Sequence, residues 1–201
     1  MEFLRKANFT SKIIVDVGCG PMFVSHVLVS DATREYIGID MMNTSKLKKY
    51  RDAMKNIGVK TIEAVRASAE MLSFRNGVFD FALSLDVFEH LKKPREAAIE
   101  IYRVVKNDGM VAISLPLENL FQKVYRIGFV LMKIAGDPIL KRSKHVPLTR
   151  TPRYHYVGDI RSYKDMLEML KDILKLLLTR YTPMSFHKSI NVNAIHLFQK
   201  V

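Results

Sequence analysis

The order of residues predicts an α/β domain, with seven strands in a doubly wound, mostly parallel sheet and helices on both faces. Three observations predict it. Short apolar runs rich in β-branched residues recur, each followed by a segment of helical periodicity, as in a parallel sheet covered on both sides. Gly-, Pro- or Asp-containing turns close most of these runs. A length of 201 residues with 48% hydrophobic content suits one domain around one core.

Ile13-Ile14-Val15-Asp16-Val17 is the first predicted strand, closed by Gly18-Cys19-Gly20-Pro21, and a helix is expected over residues 22–30. Residues 35–39 form the second strand, ending at Asp40, and a helix follows over 45–56. A short third strand covers 61–66 and a fourth covers 79–85. Pro94 opens a helix running to residue 105, because a missing N–H costs nothing at the first helical position. Residues 106–109 read as a turn before a fifth strand over 110–115, stopped by Pro116. The rhythm then breaks. Residues 117–135 place Leu117, Leu120, Phe121, Val124, Gly128, Leu131 and Ala135 on one side of an amphipathic helix. Residues 138–158 form a basic loop with three prolines, 163–170 a helix, and 173–178 and 194–199 the last two strands. The whole is read as one Rossmann-like domain over 1–201, with the segment at about 117–158 inserted as a lid or acceptor-binding element.

Composition narrows the classes of function. The lone Cys19 excludes an internal disulfide framework and a multi-thiolate zinc site, and no metal is expected. The first twelve residues lack the apolar core of a secretory signal, and Lys123, Arg126 and Lys133 interrupt the most apolar stretch, so no membrane span is expected. A cytoplasmic protein is the expectation, with peripheral membrane contact left open. The net charge of +12 favours an anionic partner. It is concentrated: residues 119–164 hold ten Lys or Arg against two Asp.

In an open parallel sheet the ligand sits beyond the carboxyl ends of the strands. A glycine turn, Gly18-Cys19-Gly20, follows strand one, where bare backbone lets a ligand approach closely. A dinucleotide fingerprint would need a third glycine where Phe23 stands, so that reading fails. Asp40 lies 20 residues beyond Gly20 at the end of strand two, where a carboxylate can accept from both hydroxyls of a ribose. A helix cap or solvated loop acid is the alternative for a lone aspartate.

Taken together, Asp16-Val17-Gly18-Cys19-Gly20-Pro21, Tyr36-Ile37-Gly38-Ile39-Asp40, Ala67-Ser68-Ala69-Glu70-Met71-Leu72-Ser73-Phe74, residues 79–91 and Arg103-Val104-Val105-Lys106-Asn107-Asp108-Gly109 resemble, in order and spacing, the class I S-adenosylmethionine-dependent methyltransferases. The likeness covers about residues 12–116 and is to the branch with ubiquinone, menaquinone and other small-molecule methyltransferases. The resemblance implies S-adenosylmethionine as cofactor and S-adenosylhomocysteine as product. It implies Gly18, Cys19 and Gly20 under the methionine moiety, with Asp16 ordering that loop and holding the amino group directly or through water. Asp40 would bind the ribose hydroxyls, Met41 would pack on adenine, and Ala69 would offer its N–H to the ring. Leu85, Asp86 and Val87 would line the wall near the sulfonium, with His90 nearby at the start of the next helix. Two positions depart from the family: Ser68 stands where aspartate accepts from the adenine amino group, and Met22 where a further glycine is usual.

Methyl transfer from a sulfonium is an in-line displacement of an already activated leaving group, so alignment does much of the work and a base is needed only for a protic acceptor. Within Arg153-Tyr154-His155-Tyr156, His155 is the candidate general base, with binding or packing as the alternative for that cluster. A small-molecule or lipid-linked acceptor is the leading expectation for the basic segment. RNA is the second, through residues 141–153 with Tyr154 and Tyr156 for stacking. A catalytically inactive binding subunit on the same fold is a further alternative.

Overall fold

The computed structural model describes residues 12–22, 35–56, 62–116, 162–182 and 193–200. Seven strands form one sheet: β1 (Ile13–Val17), β2 (Glu35–Asp40), β3 (Ile62–Arg66), β4 (Phe79–Ser84), β5 (Val105–Pro116), β6 (Lys175–Thr182) and β7 (Asn193–Gln199). Among the described residues three helices accompany them, α1 (Thr44–Asn56), α2 (Pro94–Val104) and α3 (Tyr163–Lys171), with a 3-10 turn at Phe88–His90. The strand order is β3-β2-β1-β4-β5-β7-β6. Residues 23–30 of the expected helix at 22–30, the amphipathic helix at 117–135 and the basic loop, His155 included, lie outside the described residues, and Met22 has a left-handed φ of 62°.

β1 sits between β2 and β4, and the pairings β1–β2, β1–β4, β2–β3 and β4–β5 are parallel. The sheet is mixed, however, because β7 runs antiparallel between β5 and β6. Direction is not encoded in an apolar run; it follows from β6 and β7 folding back as neighbours at the sheet edge.

Alternation along the strands feeds two cores. Val15, Val17, Ile39, Val111 and Ile113 pack with Ala98 and Ile101 of α2 and with Met166 and Leu170 of α3. Ile14, Tyr36, Ile62, Phe81 and Leu83 pack with Leu47 and Met54 of α1. The helices therefore cover both faces. Helix α2 presents Ala97, Ala98, Ile101 and Val104 at helical spacing after Pro94, and α3 is capped by Ser162, whose hydroxyl accepts from Asp165 N at 3.2 Å.

The expected turn at 106–109 is part of β5. Pairing steps from Phe79↔Val105 to Phe81↔Met110, so the extra residues bulge out of the ladder with Asp108 at φ 61°. Asp80 anchors this bulge, accepting from Ile13 N and from Lys106 Nζ, both at 2.8 Å. The strand expected at 173–178 begins two residues later, at Lys175.

His196 of β7 is fully buried, with Nδ1 at 2.9 Å from Thr179 Oγ1 and Nε2 at 3.2 Å from Tyr163 Oη. Burial, and then the charge of Lys171, lower its pKa from 6.5 to about 4. The unfolded chain takes up this proton below about 6.5 whereas the folded ring stays neutral, so stability is expected to fall as pH drops from 6.5 towards 4. The expected loss is roughly 3 kcal/mol at the acid end. Urea denaturation at pH 7 and pH 4.5 checks it: His196→Gln should have a shallower pH slope than the wild type.

Candidate functional site

The carboxyl ends of β1, β2, β3 and β4 open onto one cavity of about 500 Å³. Its wall is Gly18 from the first turn; Ile39, Asp40 and Met41 from β2; Ala67, Ser68, Ala69 and Glu70 after β3; and Asp86, Val87, His90, Leu91 and Lys92 after β4.

The floor is set by glycine. Gly18 has φ +81°, and a Cβ there would sit 2.2 Å from Val87 Cγ2, so no side chain fits. Its N–H and that of Cys19 both donate to Ile39 O, at 2.7 and 2.9 Å, which lays the turn across the end of β2. Gly20 has φ +49° and open space where a side chain would stand. Its N–H donates to Asp40 Oδ2 at 2.9 Å, while Met42 N donates to Asp40 Oδ1 at 2.8 Å. One carboxylate thus ties the glycine turn to the entry of α1. Each carboxylate oxygen has a second lone-pair site for a ligand hydroxyl.

Asp16 lies beneath the turn, 2% exposed, and accepts a hydrogen bond from the Tyr36 hydroxyl. Burial raises its carboxyl to about 6; the Tyr36 bond opposes the rise and the charge of Asp40 adds to it. Met22 is fully buried with φ 62°, and its methyl group lies over Gly38, where a Cβ would be 2.5 Å away. Cys19 is also buried, with its thiol pushed well up, by burial first, so it stays a neutral filler.

The wall after β3 is held by α2. Arg103 donates to Leu72 O and Phe74 O, each at 2.7 Å, and Glu100 accepts from Leu72 N at 2.7 Å. Glu70 accepts from Lys93 N at 2.9 Å. Ser68 Oγ accepts from Glu70 N at 3.2 Å, closing a local turn. After β4, the His90 side chain is 69% exposed, with Nε2 4.0 Å from Glu89 Oε1. Glu89 is buried, which raises its carboxyl, and its Oε2 has no hydrogen-bond partner among the described residues.

Of the residues singled out in the sequence, Gly18, Asp40, Met41, Ser68, Ala69, Asp86, Val87 and His90 meet at this cavity. Asp16, Cys19, Gly20 and Leu85 do not form its wall. Asp16 and Cys19 are enclosed beneath the turn, and the Asp16 carboxylate is held by the Tyr36 hydroxyl. His90 belongs to a 3-10 turn, not to the start of a helix. Ile39, Ala67, Glu70, Leu91 and Lys92 also line the cavity although the sequence reading gave them no role there; all but Lys92 flank a residue to which it did. Glu89 escaped it too, since nothing local marks a glutamate as buried.

Two consequences are measurable. Gly18→Ala should lose about 2–4 kcal/mol of stability, partly recovered by adding Val87→Ala. The raised carboxyl of Asp16 contributes stability below its ordinary value of 3.8, and that contribution is lost as pH rises through about 6. Tyr36→Phe removes the bond that eases the ionised form, so it should cost about 1–3 kcal/mol at pH 7.5 and less at pH 5. An equal loss at both pH values would show that the bond does not act on the Asp16 charge.

The family described as a methyltransferase domain matches residues 15–113. The chain is similar to a ubiquinone biosynthesis O-methyltransferase of Rickettsia conorii, 28% identical over 131 residues, covering 65% of this chain and 43% of that protein. It is also similar to a ubiquinone/menaquinone biosynthesis C-methyltransferase of Klebsiella pneumoniae, 28% identical over 140 residues, covering 67% of this chain and 52% of that one. The chain therefore spans about half the length of these curated relatives. Among solved structures, an S-adenosylmethionine-dependent methyltransferase from Methanosarcina mazei superposes with a TM-score of 0.70 at 21% identity, covering 100% of this chain and 98% of that one. With the glycine turn, the β2 carboxylate and the walls after β3 and β4 gathered on one cavity, residues 15–113 form a methyltransferase domain, on the fold shared with S-adenosylmethionine-dependent methyltransferases.

Proposed function

We propose that this domain transfers a methyl group from S-adenosylmethionine to a small-molecule or lipid-linked acceptor by in-line displacement. The observation that carries the reading is Asp40. Its carboxylate stands on the cavity wall 20 residues beyond Gly20, oriented by two backbone N–H groups. That is a fixed double acceptor at the place where a ribose presents two hydroxyls.

The remaining residues fit the cofactor. A cavity of about 500 Å³ is large enough for a nucleoside with an amino-acid side arm, and the bare backbone at Gly18 and Gly20 leaves room for that arm. Met41, 59% exposed, offers an apolar surface to one adenine face. Ala69 supplies a backbone N–H and Ser68 a hydroxyl to the adenine edge, the hydroxyl being a weaker acceptor than aspartate. Asp86 and Val87 form the wall beside the reacting centre. Bound there, the cofactor supplies a methyl group on a cationic sulfur, activated before any protein group acts. The chain's part is to orient it, shield it and align the acceptor.

Relatives named for ubiquinone biosynthesis support the small-molecule side of this reading. The RNA reading rests on residues 141–153, and a general base at His155 rests on a position that is likewise outside the described residues. Among the described residues no helix is long and apolar enough to cross a membrane.

Calorimetric titration with S-adenosylmethionine and S-adenosylhomocysteine tests the proposal. Micromolar binding to the wild type is expected, weakened at least about tenfold in Asp40→Ala, the loss of roughly one strong hydrogen-bonding group. Absence of wild-type binding sinks the enzyme reading. A cationic ligand above the turn favours ionised Asp16, so affinity for S-adenosylmethionine should fall as pH drops below about 6, and Asp16→Asn should flatten that dependence.

A further inference from the structure

We propose that Ser114 of β5 is a positioning residue for the cofactor wall, acting by holding Asp86 in a left-handed backbone conformation. This role rests on the cofactor reading above and extends it to a residue that does not touch the cavity.

Asp86 has φ 57°, a region that L residues other than glycine enter only against steric resistance. Ser114 is 3% exposed, two residues before the end of β5. Its Oγ accepts from Asp86 N at 2.7 Å and donates to Asp86 Oδ1 at 2.6 Å. One hydroxyl therefore grips both the backbone and the side chain of the strained residue while the backbone is left-handed.

The strain has a use. Val87 follows directly, and its Cγ2 occupies the space above Gly18, 2.2 Å from where a Cβ would be. The rotation at Asp86 turns the chain sharply enough at the end of β4 to set Val87 on the glycine turn. Gly18, Asp86 and Val87 all form the cavity wall, so relaxing Asp86 to negative φ would move one wall against another. The serine at the end of β4 does a different job. Ser84 Oγ donates to Val17 O at 3.1 Å, joining β4 to β1 before the turn begins.

A double-mutant cycle tests the proposal. S-adenosylhomocysteine is titrated into wild type, Ser114→Ala, Asp86→Gly and the double variant, and each is melted without ligand. Ser114→Ala is expected to weaken binding about tenfold and lower the melting midpoint by about 3 °C while residue 86 is Asp. In the Asp86→Gly background the same change should alter affinity less than about twofold and the midpoint by about 1 °C, because glycine enters the left-handed region unaided. Equal losses in both backgrounds overturn the role of Ser114 and leave the cofactor reading standing. No binding by the wild type overturns the cofactor reading, and this role with it.

Discussion

The close approach of Gly18 to Val87 is the constraint on which the site depends. Two chain segments from different strands meet where neither has room for another carbon atom. Because Gly18 and Cys19 also share Ile39 O as acceptor, the ends of β1, β2 and β4 are joined at one point. Gly38 repeats the device one layer down, giving space to Met22 and Cys19. Everything that faces the cavity, from the Asp40 carboxylate to the turn at Asp86, is placed relative to this junction.

The two departures from the family pattern read differently once the packing is known. Met22 takes a left-handed φ at the position where glycine is usual, and its strain is offset by a buried side chain that fills the space over Gly38. Ser68 uses its oxygen to accept from Glu70 N, a task that an aspartate could share with a second oxygen. The fold thus tolerates both, and under the proposed cofactor reading Ser68 would be the weaker adenine acceptor.

Ionisable groups divide by position. His196 and its hydroxyl partners are sealed in the β6–β7 edge, where a neutral ring links two strands and α3. Asp16 and Glu89 are buried beside the cavity, each with a carboxyl pushed up by loss of water. Such groups reduce stability at neutral pH, and a strained Asp86 adds to that cost. Their concentration at the carboxyl edge of the sheet is what a site held in place by its scaffold looks like.

Residues alone determined the alternation of strand and helix, the glycine turn, Asp40 at its distance, and the segments that line the cavity. These follow from local rules: β-branched runs extend, apolar residues repeat at 3.6 or 2, and glycine marks close backbone approach. Tertiary structure decided the antiparallel course of β7, the bulge at 106–109, the burial of Asp16 beneath the glycine turn, and the grip of Ser114 on Asp86. Each depends on which strands become neighbours, and an apolar pentapeptide carries no record of that. A serine within Ala-Ile-Ser-Leu-Pro looks like any other buried hydroxyl, until folding brings a left-handed backbone 28 residues away within 2.7 Å.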